Sequence, residues 1–335
     1  MPFIGNILPY KSLAIVGLEK NTGKTECLNY VIKRLKDSGK KIALTSIGVD
    51  GETTDSVTQT SKPAITVYKN MVFVTSEKHY KSKQVVSEIL HVGQPHTALG
   101  RLVTARALAT GQVLFSGPST TTWLKQEIDR MQEYQIDTTI VDGALSRMSL
   151  GSPAVTQSMI LTTGAALSPS ISSIVQKTRF VYNLLQLEVF ETQYVDMLTQ
   201  AEQGVFEIQE ALAPRKLDIP SVLLLDLYKD ALNASNHTYY VAGAINDKLL
   251  NYLRIQKHIE QTTLIARDFT KFFVTSATLQ AFLKKGGKVK VLLRPSLLAI
   301  CVNPVSPQGF TLKSSELCHA IQQHVDVPVY DIRKI

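Results

Sequence analysis

The sequence predicts an α/β fold, a doubly wound and mostly parallel sheet carrying a β-rich insertion over residues 64–116. Three observations predict it. A short apolar run, Ser12 to Val16, is followed by a loop and then by a helical pattern with apolar residues at Cys27, Leu28, Val31, Ile32 and Leu35. A second apolar run, Lys41 to Ile47, follows the turn at Ser38-Gly39, so strand, helix and strand form a parallel unit with a right-handed crossover. Strand-like and helix-like segments then alternate to the end of the chain.

The elements follow in order. The helix after the first strand is expected over Lys24–Lys36. Residues 64–116 contain Ile65-Thr-Val-Tyr, Met71-Val-Phe-Val-Thr, Gln84-Val-Val-Ser-Glu-Ile-Leu and Gln112-Val-Leu-Phe, short runs with turn residues between them and no long helical period. They are read as a β-rich, partly antiparallel insertion. Ser119 is a plausible cap for a helix reaching about Gln135, with Trp123, Ile128 and Met131 on its apolar side. Thr138 to Asp142 is a core strand ending in an acid. The stretch Ser152–Gly204 has a mainly helical pattern, including Ile171 to Leu185. Further strands are expected at Tyr239–Ala244, Thr263–Ala266, Val289–Leu293 and Leu297–Val302, alternating with helices at Asp247–Arg254, Ala277–Lys284 and Ser314–His324. That alternation implies one sheet continuing to the C-terminus. The 335 residues are read as a single domain, with at most a subdivision near 205–235.

Composition narrows the classes. An apolar content of 44% and a charged content of 19% suit a globular chain with a large core. No apolar run approaches a membrane span and no cleavable signal pattern precedes Leu13, so a cytoplasmic location is expected. Three widely spaced cysteines, Cys27, Cys301 and Cys318, fit reduced thiols better than a disulfide framework or a zinc site. The net charge is +8, and its densest cluster (Lys284, Lys285, Lys288, Lys290, Arg294) reads as a solvated helix end and strand. No aromatic residues interleave with it as a nucleic-acid stacking surface requires. The seven histidines show no metal-ligand pairing, and no Gly-x-Ser-x-Gly elbow occurs.

The chemistry concentrates in Gly17-Leu-Glu-Lys-Asn-Thr-Gly-Lys-Thr25. A Gly-Lys-Thr between a strand and a helix is the setting in which backbone N–H groups at a helix start, aided by the helix dipole, hold a polyphosphate. Lys24 would neutralise β- and γ-phosphate charge and the Thr25 hydroxyl would sit on Mg²⁺. The nucleotide-contacting candidates are Glu19, Lys20, Asn21, Thr22, Gly23, Lys24, Thr25 and Cys27. The strict pattern asks for glycine where this chain has Leu18; its own first glycine, Gly17, stands one place earlier. An ordinary strand-turn-helix is the competing explanation.

Asp142 stands at the carboxyl end of a buried strand, where an open α/β sheet faces its ligand, and is the second metal candidate; a plain Asp-Gly turn is the alternative. Asp50 is the preferred acid of the segment after the second strand, as metal ligand or water-orienting group, and Glu52 is the second; a solvated acidic turn explains both equally well. Asp55 is a poorer candidate. Lys24, Asp50 and Glu52 form the proposed catalytic set, and Thr25, Asp142 and Asp50 the metal set. Arg147 could contact phosphate. Asn303, before Pro304, could read a base edge or simply make a turn. The absence of an Asn-Lys-x-Asp guanine motif favours ATP, with Mg²⁺, as cofactor.

The order of elements is similar to the SIMIBI class of P-loop NTPases, which includes dethiobiotin synthetase and MinD. Lys20 lies four residues before Lys24; Glu19 takes the place, five before, of the extra lysine in the MinD and ParA ATPases. More narrowly, Val16 to Thr25, Leu44-Thr-Ser-Ile-Gly, Asp50-Gly-Glu, Ile140-Val-Asp-Gly-Ala-Leu, Thr163-Gly-Ala-Ala-Leu and Val302-Asn-Pro-Val-Ser-Pro resemble the P-loop subunit of the lysine 5,6-aminomutase reactivase. Val49 and Glu26 depart from that family's pattern. The resemblance implies an ATP-driven chaperone that releases damaged cobalamin from an aminomutase client, with a MutS-like second subunit as partner. An ATP-dependent small-molecule ligase or kinase related to dethiobiotin synthetase is the alternative, and a non-catalytic scaffold a third.

Overall fold

The computed structural model describes residues 3–48, 65–143, 151–209, 212–219, 221–222, 232 and 237–334. The chain divides into two compact units, residues 1–179 with 295–335, and residues 180–294. The stretch 205–235 therefore lies inside the second unit.

The first unit opens with α1 (Ile4–Ile7), β1 (Ser12–Gly17), α2 (Lys24–Leu35) and β2 (Ile42–Ser46). It continues through β3 (Ile65–Val67), β4 (Val72–Ser76), α3 (Glu77–Lys81), β5 (Ser87–Thr97), β6 (Gly100–Ala107) and β7 (Gly111–Val113). Next come α4 (Thr121–Arg130), β8 (Thr138–Gly143), β9 (Ser158–Gly164) and α5 (Ile171–Leu185), which crosses the boundary at 179. In the second unit lie α6 (Val195–Gln200), β10 (Val205–Ile208), β11 (Arg215–Lys216), β12 (Thr238–Val241), β13 (Ile245–Asn246), α7 (Asp247–Arg254), β14 (Thr263–Ala266), β15 (Phe272–Phe273), α8 (Ser276–Lys284) and β16 (Lys288–Val291). β17 (Ser296–Asn303), α9 (Ser314–Gln322) and β18 (Val329–Asp331) return to the first unit.

A nine-stranded sheet in the order β18-β17-β9-β1-β8-β2-β4-β6-β5 organises the first unit. Its pairings are parallel from β18 through β4, and only the β4–β6 and β6–β5 pairings are antiparallel, so β6 alone runs against the other strands. Every residue of β1 is buried, as a central strand covered on both faces requires. Side chains alternate along β2: Ile42 and Leu44 join a cluster with Leu28, Val31, Ile32 and Leu35 of α2, whereas Ala43 joins Val72, Val74, Leu102 and Met131 on the other face. This is a mixed α/β architecture compatible with double winding.

Four expectations change. Most of 64–116 is not a separate insertion: β4 pairs in parallel with β2 (Ala43↔Val72, Leu44↔Phe73), and β6 and β5 extend the same sheet. Only β3 and β7 form a small antiparallel ribbon of their own. The expected helical stretch after Ser152 contains β9, a fully buried strand between β1 and β17. A strand buried on both faces has no two-residue alternation, so Met159-Ile160-Leu161 gave no strand period. Nor do the later strands continue one sheet. β12, β14 and β16 form the parallel part of a second, five-stranded sheet, ordered β11-β10-β12-β14-β16. Strand-like and helix-like segments in alternation mark the strands as parallel without naming their neighbours. The helix expected from Ser119 is capped instead by Thr120, whose hydroxyl accepts from Trp123 N–H.

Candidate functional site

The loop after β1 sits at the carboxyl edge of four neighbouring strands, β17, β9, β1 and β8. Its first residue prolongs the sheet: Leu18 N–H donates to Thr162 O at 2.8 Å, and the Leu18 side chain is buried. Leu18 avoids the left-handed region, so the missing glycine costs no strain there. Left-handed conformations fall instead on Asn21 (φ 60°) and Gly23 (φ 90°), residues that tolerate them.

Gly17 has a different duty. A Cβ at this position would collide with Thr22 Oγ1 and come within 2.9 Å of both Lys24 Cγ and Thr162 Oγ1. The loop folds this tightly because Thr22 is fully buried and bonded twice. Its hydroxyl donates to Glu19 O at 2.8 Å and meets Thr162 Oγ1 at 3.0 Å. With its single proton on Glu19 O, Thr22 accepts from Thr162. Across the loop, Asn303 Nδ2 donates to Asn21 O at 3.2 Å, and Asn303 Oδ1 accepts from Val305 N–H at 3.2 Å. The Asn303 amide, a base-reading candidate in the sequence, thus braces the loop with its donor side while Val305 N–H holds its acceptor side. Gly23 lies against it: an added Cβ would stand 3.0 Å from Asn303 Cβ.

Helix α2 starts at Lys24 with Gly23 as its N-cap and no side-chain cap, so its first N–H groups meet no capping side chain. Lys24 Nζ donates to Glu19 O at 3.4 Å, returning the ammonium to the loop. Thr25 is half-buried in the first turn, and Glu19 and Lys20 are exposed. Cys27 points the other way. It is fully buried, its Sγ lies 3.7 Å from Cys301 Sγ, and the hydrogen bond to that thiol followed by burial pushes its own pKa well up. The thiol belongs to the core rather than to the loop's ligand side.

Asp142 occupies the penultimate position of β8, half-buried, paired in register with Ile15 of β1 and Ser46 of β2. It therefore reaches the carboxyl edge beside the strand that feeds the loop. Asp50, Glu52, Asp55 and Arg147 lie outside the described residues. Thr162 escaped sequence reasoning because its strand did; the adjacent Thr-Thr-Gly at 162–164 was the available signal.

The donor set fits a magnesium phosphate. A hydroxyl and a carboxylate are hard oxygen ligands, and Mg²⁺ completes its shell with phosphate oxygens and water. Among the described residues no group of three or more His, Cys, Asp or Glu could form a protein-only metal cage. Comparison of the chain with protein-family models and with curated proteins finds no match.

Proposed function

We propose that the first unit binds Mg-ATP on the Leu18–Thr25 loop and works as a nucleotide-dependent switch, of the kind that reactivates a cobalamin-dependent aminomutase. The observation that carries the nucleotide part is the uncapped start of α2 at Gly23-Lys24, on a loop pinned to β9 and β17 at the carboxyl edge of parallel strands. In this reading loop amides and Lys24 hold the phosphates. Thr25 and Asp142, with Asp50, hold the metal, which neutralises phosphate charge when bound. Asp50 and Glu52 orient the attacking water; the sequence alone supports their part.

The switch character rests on how the loop is tied. Its contacts to Thr162 and Asn303 join it to two strands, so a change in the loop on phosphate binding would reach both. The client, an aminomutase, and a MutS-like partner subunit come from the resemblance of the loop and strand-end segments. ATP turnover by the purified chain, measured alone and with an adenosylcobalamin-dependent aminomutase, tests this reading. Slow turnover raised by the client supports it; fast turnover indifferent to the client would replace the switch by a small-molecule ligase or kinase.

A further inference from the structure

The second unit has its own carboxyl edge, where β12, β14 and β16 end side by side. Tyr240 of β12 pairs with Ile265 of β14, and Arg267 follows directly on Ala266, the last residue of β14. Tyr240 is fully buried, and its hydroxyl has no hydrogen-bond partner among the described residues. A buried phenol without a partner is costly, and calls for an explanation.

Its surroundings supply one. Arg267 and Asp268 both act electrostatically on Tyr240 and on Lys271. Asp268 is fully buried and takes Arg267 Nε–H at 2.9 Å on one oxygen, and Thr270 N–H at 2.9 Å on the other. That fixes the guanidinium by its inner nitrogen and leaves its terminal nitrogens without a protein acceptor among the described residues. Lys271 is partly buried and also makes no ion pair among the described residues. Burial first, then Arg267, holds its pKa below the usual lysine value. Tyr240 is pushed up to about 12, chiefly by burial, so its phenol keeps its proton and can donate.

We propose that Arg267, Lys271 and Tyr240 form a binding site in the second unit for the carboxylate group of a small molecule. Arg267 acts on both Tyr240 and Lys271, so three donors without acceptors among the described residues lie near one guanidinium, at the sheet edge where α/β units take ligands. A planar guanidinium presents two parallel donors to a carboxylate, the ammonium adds a point charge, and the phenol adds a neutral donor. Charge selects the class: two cations against the Asp268 carboxylate leave a single positive charge, which a carboxylate neutralises and a phosphate dianion overshoots. The proposal stands apart from nucleotide binding in the first unit.

The test is calorimetric titration of the full chain with sodium acetate, sodium propionate and inorganic phosphate at pH 7 and constant ionic strength. Saturable millimolar binding of the carboxylates is expected for ligands this small, and in the Lys24→Ala chain, whose first-unit phosphate loop is weakened, it is preferred to phosphate. Lys271→Met weakens acetate binding by about tenfold or more, the value of a charge-assisted hydrogen bond. Tyr240→Phe weakens it too while raising the melting temperature, a combination that a purely structural tyrosine would not give. Lys24→Ala, which acts on the first unit, leaves it unchanged. Non-saturable heats, affinity untouched by Lys271→Met, or tighter binding of phosphate than of carboxylate by the Lys24→Ala chain, whose first-unit phosphate loop is weakened, would each overturn the proposal.

Discussion

Thr22 and Thr162 join hydroxyl to hydroxyl at 3.0 Å, tying the loop after β1 to the carboxyl end of the neighbouring strand β9. Both side chains are fully buried, and Thr22 spends its proton on Glu19 O. The bond holds the loop in the shape that lets α2 begin at Lys24. Thr162→Val keeps the volume and removes the donor. It should destabilise the chain by about 1–2 kcal/mol, the cost of leaving a buried hydroxyl short of one partner. On the proposed function it also weakens Mg-ATP binding several-fold. Chemical denaturation and nucleotide titration of the variant check both effects.

Gly23 carries the left-handed turn into α2 and lies against Asn303 and Ile332. Gly23→Ala puts a Cβ at φ 90° and 3.0 Å from Asn303 Cβ. Strain of about 1–2 kcal/mol is expected from the conformation alone, with the Asn303 brace displaced as well. A fall in the denaturation midpoint would agree with this. An unchanged midpoint would mean that the turn adopts another conformation.

The second unit contains an acid-sensitive contact. Glu207 is buried and accepts from Arg215 Nη2 at 2.6 Å and Nε at 3.1 Å, while His237 Nδ1 lies 2.6 Å from its other oxygen. The Arg215 hydrogen bonds, followed by the charges of Arg215 and His237, hold its carboxyl below the usual glutamate value against the opposing effect of burial. A depressed folded-state pKa stabilises above the unfolded value, about 4.3, and that stability is lost as pH falls through the lower folded value. Glu207→Gln should therefore cost about 1–2 kcal/mol at pH 7, and the gap to wild type should close below about pH 4. Urea unfolding at a series of pH values measures that gap.

Cys27 and Cys301 are fully buried and Cys318 half-buried. Burial raises the Cys318 thiol, and the Cys301 hydrogen bond together with burial raises Cys27. A thiol-specific reagent at neutral pH should therefore label Cys318 first and slowly, and Cys27 only when the chain unfolds. Rapid labelling of Cys27 in the folded protein would show that the start of α2 opens.

Where the fold was legible, local periodicity made it so. Asp247–Arg254 and Thr263–Ala266 have the bounds that helical spacing and a short apolar run indicate, and α2 and β8 agree within one residue. β9 was hidden because burial on both faces erases alternation. The assignment of β12, β14 and β16 to a second sheet is a matter of pairing between distant segments, which no local pattern carries. For the site, Gly-Lys-Thr located the loop and Asp142 its neighbouring strand, but the brace from Thr162 depended on an unseen strand. Asn303 could be singled out in sequence, though its bond to Asn21 could not. The tyrosine, arginine and lysine of the second unit carry no motif, and the pairing of β12 with β14, which sets Tyr240 beside the strand that Arg267 follows, is not a local pattern.

The most direct test of the central claim is Mg-ATP binding by the full chain, wild type beside Lys24→Ala, measured by titration calorimetry. Lys24 begins α2 and returns its ammonium to the loop carbonyl of Glu19, so its loss removes charge from the proposed phosphate site. The account predicts saturable Mg-ATP binding that Lys24→Ala weakens at least tenfold, in line with the value of a charge-assisted hydrogen bond, while the fold is kept. No binding by the wild type, or equal binding by both proteins, would contradict it.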